Sequence, residues 1–163
     1  MNDILIRKVV PNDNKRLATI IREVLTEFGG NRPNTAYFDY DTDHMFEAYQ
    51  DKNEVYFVAE VDGKLVGGSG IKLLAGNSGE ICELQKLYIN SDIRGLGIGK
   101  TLVEKCLEFA KNAGYKKCYL ETFPNMDAAI SLYKKFSFTP LDKPIGDTGH
   151  GGCDVWMIKD LLD

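Results

Sequence analysis

The chain has 163 residues, of which 44% are hydrophobic and 27% are charged, so we expect one globular domain spanning residues 1–163. Its formal net charge of −4 at pH 7 argues against a broad basic surface for nucleic acid. The apolar runs are shorter than the ~20 residues of a membrane-spanning helix, and residues 1–8 lack a signal-peptide pattern. We therefore expect a cytoplasmic protein that binds neither nucleic acid nor membranes.

The first fifty residues predict a strand, a helix and a polar connection. Residues 4–10 alternate apolar and polar side chains, which is typical of a strand. Apolar residues at helical spacing then predict a helix that ends at Phe28. Residues 31–43 are polar, acidic and aromatic, and they predict a loop that leads to a short helix ending near Gln50.

The hydrophobic period then changes to two, and three successive strands are predicted. Residues 55–61 and 65–74 flank Asp62-Gly63, a dipeptide that suits the two positive-φ positions of a tight hairpin turn. The third strand covers residues 80–89.

This third strand is irregular, because Leu84 and Leu87 would lie on opposite faces of a regular strand. A β-bulge between them would reconcile the two positions. A helix over residues 98–113 and a strand over residues 117–122 follow. The third strand, this helix and the next strand form a βαβ unit, so we expect the two strands to be parallel.

The remaining residues predict a helix over 126–136 and strands near 138–141 and 153–159, with a glycine-rich segment between the last two. The whole chain therefore predicts an α/β (α+β) fold of about seven strands and about four helices.

The cysteines and histidines indicate neither a disulfide framework nor a metal centre. No two cysteines form a CxxC pair, and all lie in apolar patterns, as small buried residues of a reducing compartment do. His44 and His150 are far apart in the sequence. We expect no metal ligands among them. The four cysteines are Cys82, Cys106, Cys118 and Cys153.

The chemical centre is predicted at residues 94–101, which read Arg-Gly-Leu-Gly-Ile-Gly-Lys-Thr between a strand and a helix. Free backbone N–H groups and the helix dipole attract phosphate at such a place. Gly97 and Gly99 lack Cβ atoms, so the main chain can approach an anion closely, and Arg94 and Lys100 add positive charge. The competing interpretation is a glycine-rich helix cap without a ligand.

Two other phosphate-binding motifs fit this loop poorly. A P-loop needs a glycine where Arg94 stands, although the ending Gly-Lys-Thr is present. A dinucleotide fingerprint of the GxGxxG type would place its last glycine at Lys100 or Leu102. Glu121 does lie where a ribose-binding acid is expected, but about five elements precede this glycine loop, whereas a dinucleotide-binding fold usually begins with it.

Residues 87–99 instead resemble the acyl-CoA signature of the GCN5-related N-acetyltransferases (GNAT family), whose core is Gln/Arg-x-x-Gly-x-Gly/Ala. The resemblance continues downstream in Asn125, residues 128–129 and residues 132–138, which are similar to the family's N…A…LYxKxGF segment. Ser137 departs from it, because the family commonly has glycine there. A positive φ at Ser137 would be somewhat strained.

The resemblance implies the GNAT fold, a mixed and mostly antiparallel sheet with a central parallel βαβ unit, and acetyl-CoA as acyl donor with no metal. It implies that loop amides hold the pyrophosphate, that the strand before the loop holds the pantetheine arm by its main chain, and that a bulge and strand divergence open a slot for this arm. The implied cofactor-binding residues are Leu87, Tyr88, Ile89, Arg94, Gly95, Leu96, Gly97, Ile98, Gly99, Lys100, Asn125 and Ala128.

The resemblance also implies roles for two candidate catalytic residues. Glu83 would remove a proton from the acceptor amine, and Glu80 is the second candidate for this base. Tyr133 would protonate the departing thiolate. An N–H group near Ile89 would polarise the thioester oxygen. Without the resemblance, Glu83 could equally be a solvated strand residue, and Tyr133 would more often be a core residue.

The acceptor is expected to be an amine of a small molecule or peptide. Residues 37–43 and 146–150 are the candidate lining, since aromatic rings with carboxylates suit a cationic amine. The alternative is a solvated loop that caps a helix. His150 is either a second proton carrier or incidental. A non-catalytic acyl-CoA sensor is the alternative function, and a homodimer is possible by analogy with the family.

Overall fold

The computed structural model describes residues 2–77 and 79–162, which form one seven-stranded sheet and four α-helices. The predicted fold class is confirmed. The strands are β1 (Ile4–Lys8), β2 (Val55–Val61), β3 (Lys64–Leu73), β4 (Ile81–Ile89), β5 (Lys117–Thr122), β6 (Thr139–Leu141) and β7 (Val155–Asp160). The helices are α1 (Asn14–Glu27), α2 (Met45–Ala48), α3 (Ile98–Asn112) and α4 (Asp127–Lys135).

The strands lie in the order β1-β2-β3-β4-β5-β7-β6. Only the β4–β5 pair is parallel among these described strands, and every other neighbouring pair is antiparallel. Because α3 connects β4 to β5, the predicted βαβ unit is confirmed. No helix in the described ranges is long and apolar enough to span a bilayer.

The helices cover both faces of the sheet. Along β2, Val55 packs in a cluster with α3 and α4, whereas its neighbour Tyr56 packs in a cluster with α1. This follows from the alternation of side chains along a strand. On the α3 side, Cys82, Cys106 and Cys118 are buried as free thiols.

The backbone confirms the predicted tight turn between β2 and β3. Asp62 and Gly63 have φ values of 51° and 82°, as this turn requires. Ser137, just after the end of α4, has a φ of 71°, a positive value that is strained for a residue other than glycine. The first strand is shorter than predicted and ends at Lys8, because Pro11 begins a 3₁₀ turn.

The predicted bulge lies in β4. Gly68 pairs with Tyr88 and Gly70 pairs with Gln85. An interval of two residues on β3 is therefore matched by an interval of three residues on β4, which means that β4 contains one extra residue. Of the two residues between Gln85 and Tyr88, Lys86 has a φ of 52°. The extra residue brings Leu84 and Leu87 to the same apolar cluster, which resolves the irregularity of the sequence pattern.

The two parallel strands separate after a short contact. β4 pairs with β5 only at Ile81, Cys82 and Glu83, while β5 continues to pair with β7 as far as Thr122. Beyond Glu83, one edge of β4 therefore lacks a neighbouring strand and borders an opening in the sheet. This opening positions the site described below.

Candidate active site

The glycine loop presents unpaired amides at the start of α3. Gly97 has a left-handed φ of 76°, and the first hydrogen bond at this end of the helix runs from the Thr101 amide to the Gly97 carbonyl. Within the described part of the chain, no protein group accepts a hydrogen bond from the amides of residues 95–100. These donors and the positive end of a 15-residue helix fit a phosphate group.

A cavity of about 320 Å³ extends from this loop to α4. Its wall is mostly apolar and includes Phe28 of the α1 end and Leu132 of α4. Gly99 also lines it, and a Cβ there would lie 3.3 Å from side-chain atoms of Ile89 and Leu132. The predicted cofactor-binding residues that line this cavity are Leu87, Ile89, Arg94, Gly95, Gly97, Ile98, Gly99, Lys100 and Ala128.

Three predicted cofactor-binding residues lie outside this lining. Tyr88 lines a smaller neighbouring cavity. The Leu96 side chain is on the exposed surface of the loop. Asn125 donates a hydrogen bond to the Phe28 carbonyl at 3.0 Å, which ties the β5–α4 connection to the end of α1. Asn125 therefore orders this connection, and the cofactor contact that the resemblance implies for it stays a prediction.

Arg94 lines the cavity, but its guanidinium is bound within the protein. It forms two hydrogen bonds to the Glu27 carboxylate, at 2.6 and 2.9 Å, and two to the Ile89 carbonyl, at 2.9 and 3.1 Å. It also lies over the Phe28 ring. In this conformation Arg94 joins α1 to the end of β4. A free cation for the phosphates was expected from the sequence, but the guanidinium is occupied by contacts within the protein. The bidentate partner Glu27 was not predicted.

Tyr133 lies where the sheet opens. Its ring is buried between α4 and the sheet and packs edge-on against Phe138. Burial raises the pKa of the Tyr133 phenol, and the neighbouring Cys106 and Cys118 shift it in the same direction. Tyr133 lines a cavity of about 40 Å³ together with Leu87, Tyr88 and Glu121. This cavity shares Leu87 and Met126 with the loop cavity, so the two adjoin.

Glu83 lies at the point where β4 leaves β5, and it is 4% exposed. Its Oε1 accepts a hydrogen bond of 2.7 Å from the Gln85 side chain, whose oxygen accepts one of 2.6 Å from the Tyr49 hydroxyl. Desolvation raises the pKa of Glu83 to about 6, opposed by the Gln85 hydrogen bond. A carboxyl group that titrates near neutrality suits a general base. Gln85 and Tyr49 were not predicted.

Glu80, the second candidate base, lies elsewhere. Its side chain is largely exposed and forms an ion pair of 2.9 Å with Lys116. Glu80 does not line the cavity beside Glu83. A water-exposed, ion-paired carboxylate has no feature of a tuned base.

Glu83 faces a third cavity, of about 320 Å³, on the side of the sheet that carries α1 and α2. Both predicted acceptor segments line it, through Asp39, Tyr40 and Asp41 in one and Thr148 and His150 in the other. The structure therefore brings together, in one cavity, residues of the two segments that were predicted to line the acceptor pocket.

Lys86 and His150 both bind Asp39 in this third cavity. The Lys86 side chain is 4% exposed and its Nζ lies 3.4 Å from Asp39 Oδ2, while His150 Nε2 lies 2.7 Å from the same oxygen. Burial works against ionisation of Asp39, but the hydrogen bond from His150 and the charge of Lys86 lower its pKa overall. Lys86 was not predicted as a site residue. The only related signal in the sequence was the bulge expected between Leu84 and Leu87, where Lys86 lies.

Glu83, Glu121 and His150 form the candidate metal-binding group of the described residues, with one potential ligand atom each within 4.8 Å of one another. The Glu121 oxygens already accept hydrogen bonds from Tyr119 and Thr148, at 2.7 and 2.6 Å. The His150 Nε2 atom is bound to Asp39. Since most donors are committed to protein partners, we assign no metal here, and the absence of a metal stays a prediction.

Comparison with known proteins agrees with this geometry. Residues 18–138 match the sequence profile of the Acetyltransferase (GNAT) family. The chain is 38% identical over 159 residues to the uncharacterized N-acetyltransferase YjgM of Escherichia coli K12, an alignment that covers 96% of this chain and 95% of the relative.

Solved structures show the same fold. An acetyltransferase of the GNAT family from Staphylococcus aureus Mu50 superimposes with a TM-score of 0.83 at 18% identity, covering 98% of this chain and 99% of the other. YncA from Salmonella typhimurium, solved with its cofactor acetyl-CoA, has a TM-score of 0.77 at 19% identity and covers 99% and 95%. The chain belongs to the GNAT family of N-acetyltransferases, enzymes that use acetyl-CoA or coenzyme A.

Proposed function

We propose that this enzyme transfers an acetyl group from acetyl-CoA directly to an amine of a small molecule or peptide, within a ternary complex. The observation that carries the proposal is the series of three adjoining cavities. The loop cavity meets the Tyr133 cavity at Leu87 and Met126, and the Tyr133 cavity meets the Glu83 cavity at Lys86. Donor and acceptor can thus approach the opening in the sheet from the two ends of this series, which favours direct transfer.

The loop cavity would hold acetyl-CoA. The unpaired amides of residues 95–100 are donors for its diphosphate, with Lys100 as the nearby cation. The edge of β4 beyond Glu83 offers main-chain groups for the pantetheine arm. When bound, acetyl-CoA supplies a thioester whose acyl carbon is open to attack by an amine. The acetyl-CoA complex of the similar YncA supports this assignment.

Glu83 acts as the base in this proposal. An alkylammonium of pKa ~10.4 has no lone pair, so it must lose a proton before it can attack. Gln85 donates to Glu83 Oε1 because its own oxygen accepts from Tyr49, and this hydrogen bond favours the ionised form of Glu83 that a base requires. Its Oε2 atom is then free to receive the proton from the acceptor nitrogen, directly or through water.

Tyr133 acts as the acid. Tyr133 lines the small cavity that adjoins both larger ones, where the departing sulfur would be placed. A coenzyme A thiolate leaves more easily when it takes a proton as the carbon–sulfur bond breaks. The same dry surroundings that raise the pKa of Tyr133 also raise that of a thiol, so the proton transfer stays feasible.

The third cavity would hold the acceptor. Asp39, Asp41 and Glu83 supply negative charge for a cationic amine, and the exposed Tyr40 ring supplies a face for it. The small-molecule or peptide nature of the acceptor remains a prediction. The same holds for a cytoplasmic location, for a single domain over residues 1–163 and for a homodimer.

Thiol release from acetyl-CoA with a panel of amines tests the function. We expect coenzyme A to appear only when a suitable primary amine is present, in amounts equal to the acetylated product. A control without amine separates transfer from hydrolysis. Tight binding of acetyl-CoA in calorimetry, with no thiol release for small amines, amino acids, aminoglycosides or peptide N-termini, would instead support the non-catalytic sensor.

Substitution of Gly97 tests the loop. Gly97→Ala should weaken acetyl-CoA binding about tenfold, because an L side chain in the left-handed region costs about 1–2 kcal/mol and displaces the amides. Gly114→Ala is the matched control, since Gly114 has a φ of 92° at the far end of α3 and lines none of the three cavities. It should lower the melting temperature without changing the Kd. Equal Kd values for both variants would contradict the assignment.

Removal of the Tyr133 hydroxyl tests the acid. Tyr133→Phe should lower kcat about 10²-fold, within the usual range for acid catalysis, and leave the Kd for acetyl-CoA unchanged. Tyr115→Phe is the control, because its hydroxyl bonds to the Asn53 carbonyl and lines none of the three cavities of the site. Turnover near that of the unsubstituted enzyme, with chemistry shown to limit the rate, would remove Tyr133 from the mechanism.

The pH profile tests the base. Since ionised Glu83 is the active form and its pKa is about 6, kcat/KM should fall as the pH drops through 6. Glu83→Gln should abolish this limb, lower activity at pH 7 about 10²-fold, and recover activity as the pH rises and free amine accumulates. Glu80→Gln, which removes an exposed carboxylate, should retain the normal profile. A loss in Glu83→Gln that does not vary with pH would indicate a structural role.

A further inference from the structure

His150 is a partly buried titratable group in the acceptor cavity that the proposed reaction does not use. Its side chain is 13% exposed, and it joins two loops that are 111 positions apart through the 2.7 Å contact with Asp39. The other ring nitrogen, Nδ1, points toward the carboxylates of β4 and β5, 4.0 Å from Glu121 Oε1. One atom each of His150, Glu83 and Glu121 lies within 4.8 Å of the other two.

The hydrogen bonds assign the tautomer of His150. The Asp39 carboxylate can only accept a hydrogen bond, and its pKa is lowered, so the hydrogen of neutral His150 lies on Nε2. Nδ1 is then an acceptor with a free lone pair. Both oxygens of Glu121 already accept hydrogen bonds, from Tyr119 and Thr148. Glu83 is therefore the nearby carboxyl group that gains a proton during the reaction.

We propose that His150 takes over, at Nδ1, the proton that Glu83 removes from the acceptor amine. This inference rests on the proposed function. The amine nitrogen passes its proton to Glu83 Oε2, and Glu83 passes a proton to His150 Nδ1 through one bridging water, which returns Glu83 to the carboxylate. The resulting imidazolium is held by the Asp39 carboxylate. It releases the Nδ1 proton to solvent when the product leaves the cavity, and the starting tautomer is restored.

The charges around His150 favour this direction of transfer. Burial works against the imidazolium, but the hydrogen bond and charge of Asp39 outweigh it and raise the pKa of His150 above its usual 6.5. The pKa of Glu83 is about 6, so the proton moves toward the stronger base. The positive charge of Lys86 lowers the pKa of His150, whereas the negative charge of Glu83 raises it. The side chain of Glu83, 4% exposed, gains a route to water through this histidine.

Replacement of each histidine tests the proposal. His150→Gln retains a side-chain N–H for Asp39 but cannot accept and release a proton, and we expect kcat to fall about tenfold, with the Kd for acetyl-CoA unchanged. The loss is smaller than for Glu83 because water in the cavity can replace the histidine slowly. Imidazole added to the assay should restore a large part of kcat in His150→Gln and leave the unsubstituted enzyme unaffected. His44→Gln, at the other histidine, should keep kcat and show no response to imidazole.

A double substitution separates proton transfer from a structural role. If His150 acts through Glu83, the Glu83→Gln/His150→Gln enzyme should be no slower than Glu83→Gln alone. Multiplied losses, or no rescue of His150→Gln by imidazole, would overturn the proposal and leave Glu83 as base. A Glu83→Gln enzyme with normal turnover would overturn the base itself, so the two failures are distinguishable.

Discussion

The site depends on one constraint, the failure of β4 and β5 to remain paired beyond Glu83. The bulge at Lys86 accompanies this separation and is secured by a hydrogen bond of 2.7 Å from the Tyr56 hydroxyl to the Lys86 carbonyl. Tyr56 reaches that carbonyl because Gly68 and Gly70 of β3 leave room for its ring, and a Cβ at either position would collide with it. Packing of one buried tyrosine thus helps to hold open the gap through which donor and acceptor would meet.

The gap places groups of different character on its two sides. The Tyr133 side is apolar, and the surrounding side chains keep its phenol protonated. The Glu83 side is rich in charge, where buried Lys86 pairs with Asp39 and Glu83 accepts a hydrogen bond from the neutral side chain of Gln85. Unpaired buried charges would cost several kcal/mol each, whereas paired ones can be retained where function requires them. An acid and a base can therefore coexist across a single opening.

Local sequence patterns were sufficient to predict much of this structure. The turn at Asp62, the bulge inferred from Leu84 and Leu87, and the glycine loop with its unpaired amides all follow from backbone conformation and hydrophobic period. Contacts between segments that are distant in the chain could not be predicted from the sequence. Arg94 reads as a cation for phosphate, but it is paired with Glu27, which lies 67 positions earlier in the chain. Such pairings depend on side-chain directions in three dimensions, for which a single sequence has no local signal.

The sequence by itself therefore determined the order and type of the elements, the parallel βαβ unit and the likeness to acyl-CoA-binding acetyltransferases, because periodicity, turns and motifs act over a few residues. Only the tertiary structure decided which polar groups surround Glu83. It placed His150 and Asp39 in one cavity, and it placed Glu80 outside this cavity in an exposed ion pair with Lys116. The physical reason is that proton affinity depends on burial and on charges a few ångströms away, and folding sets both by joining segments remote in the chain.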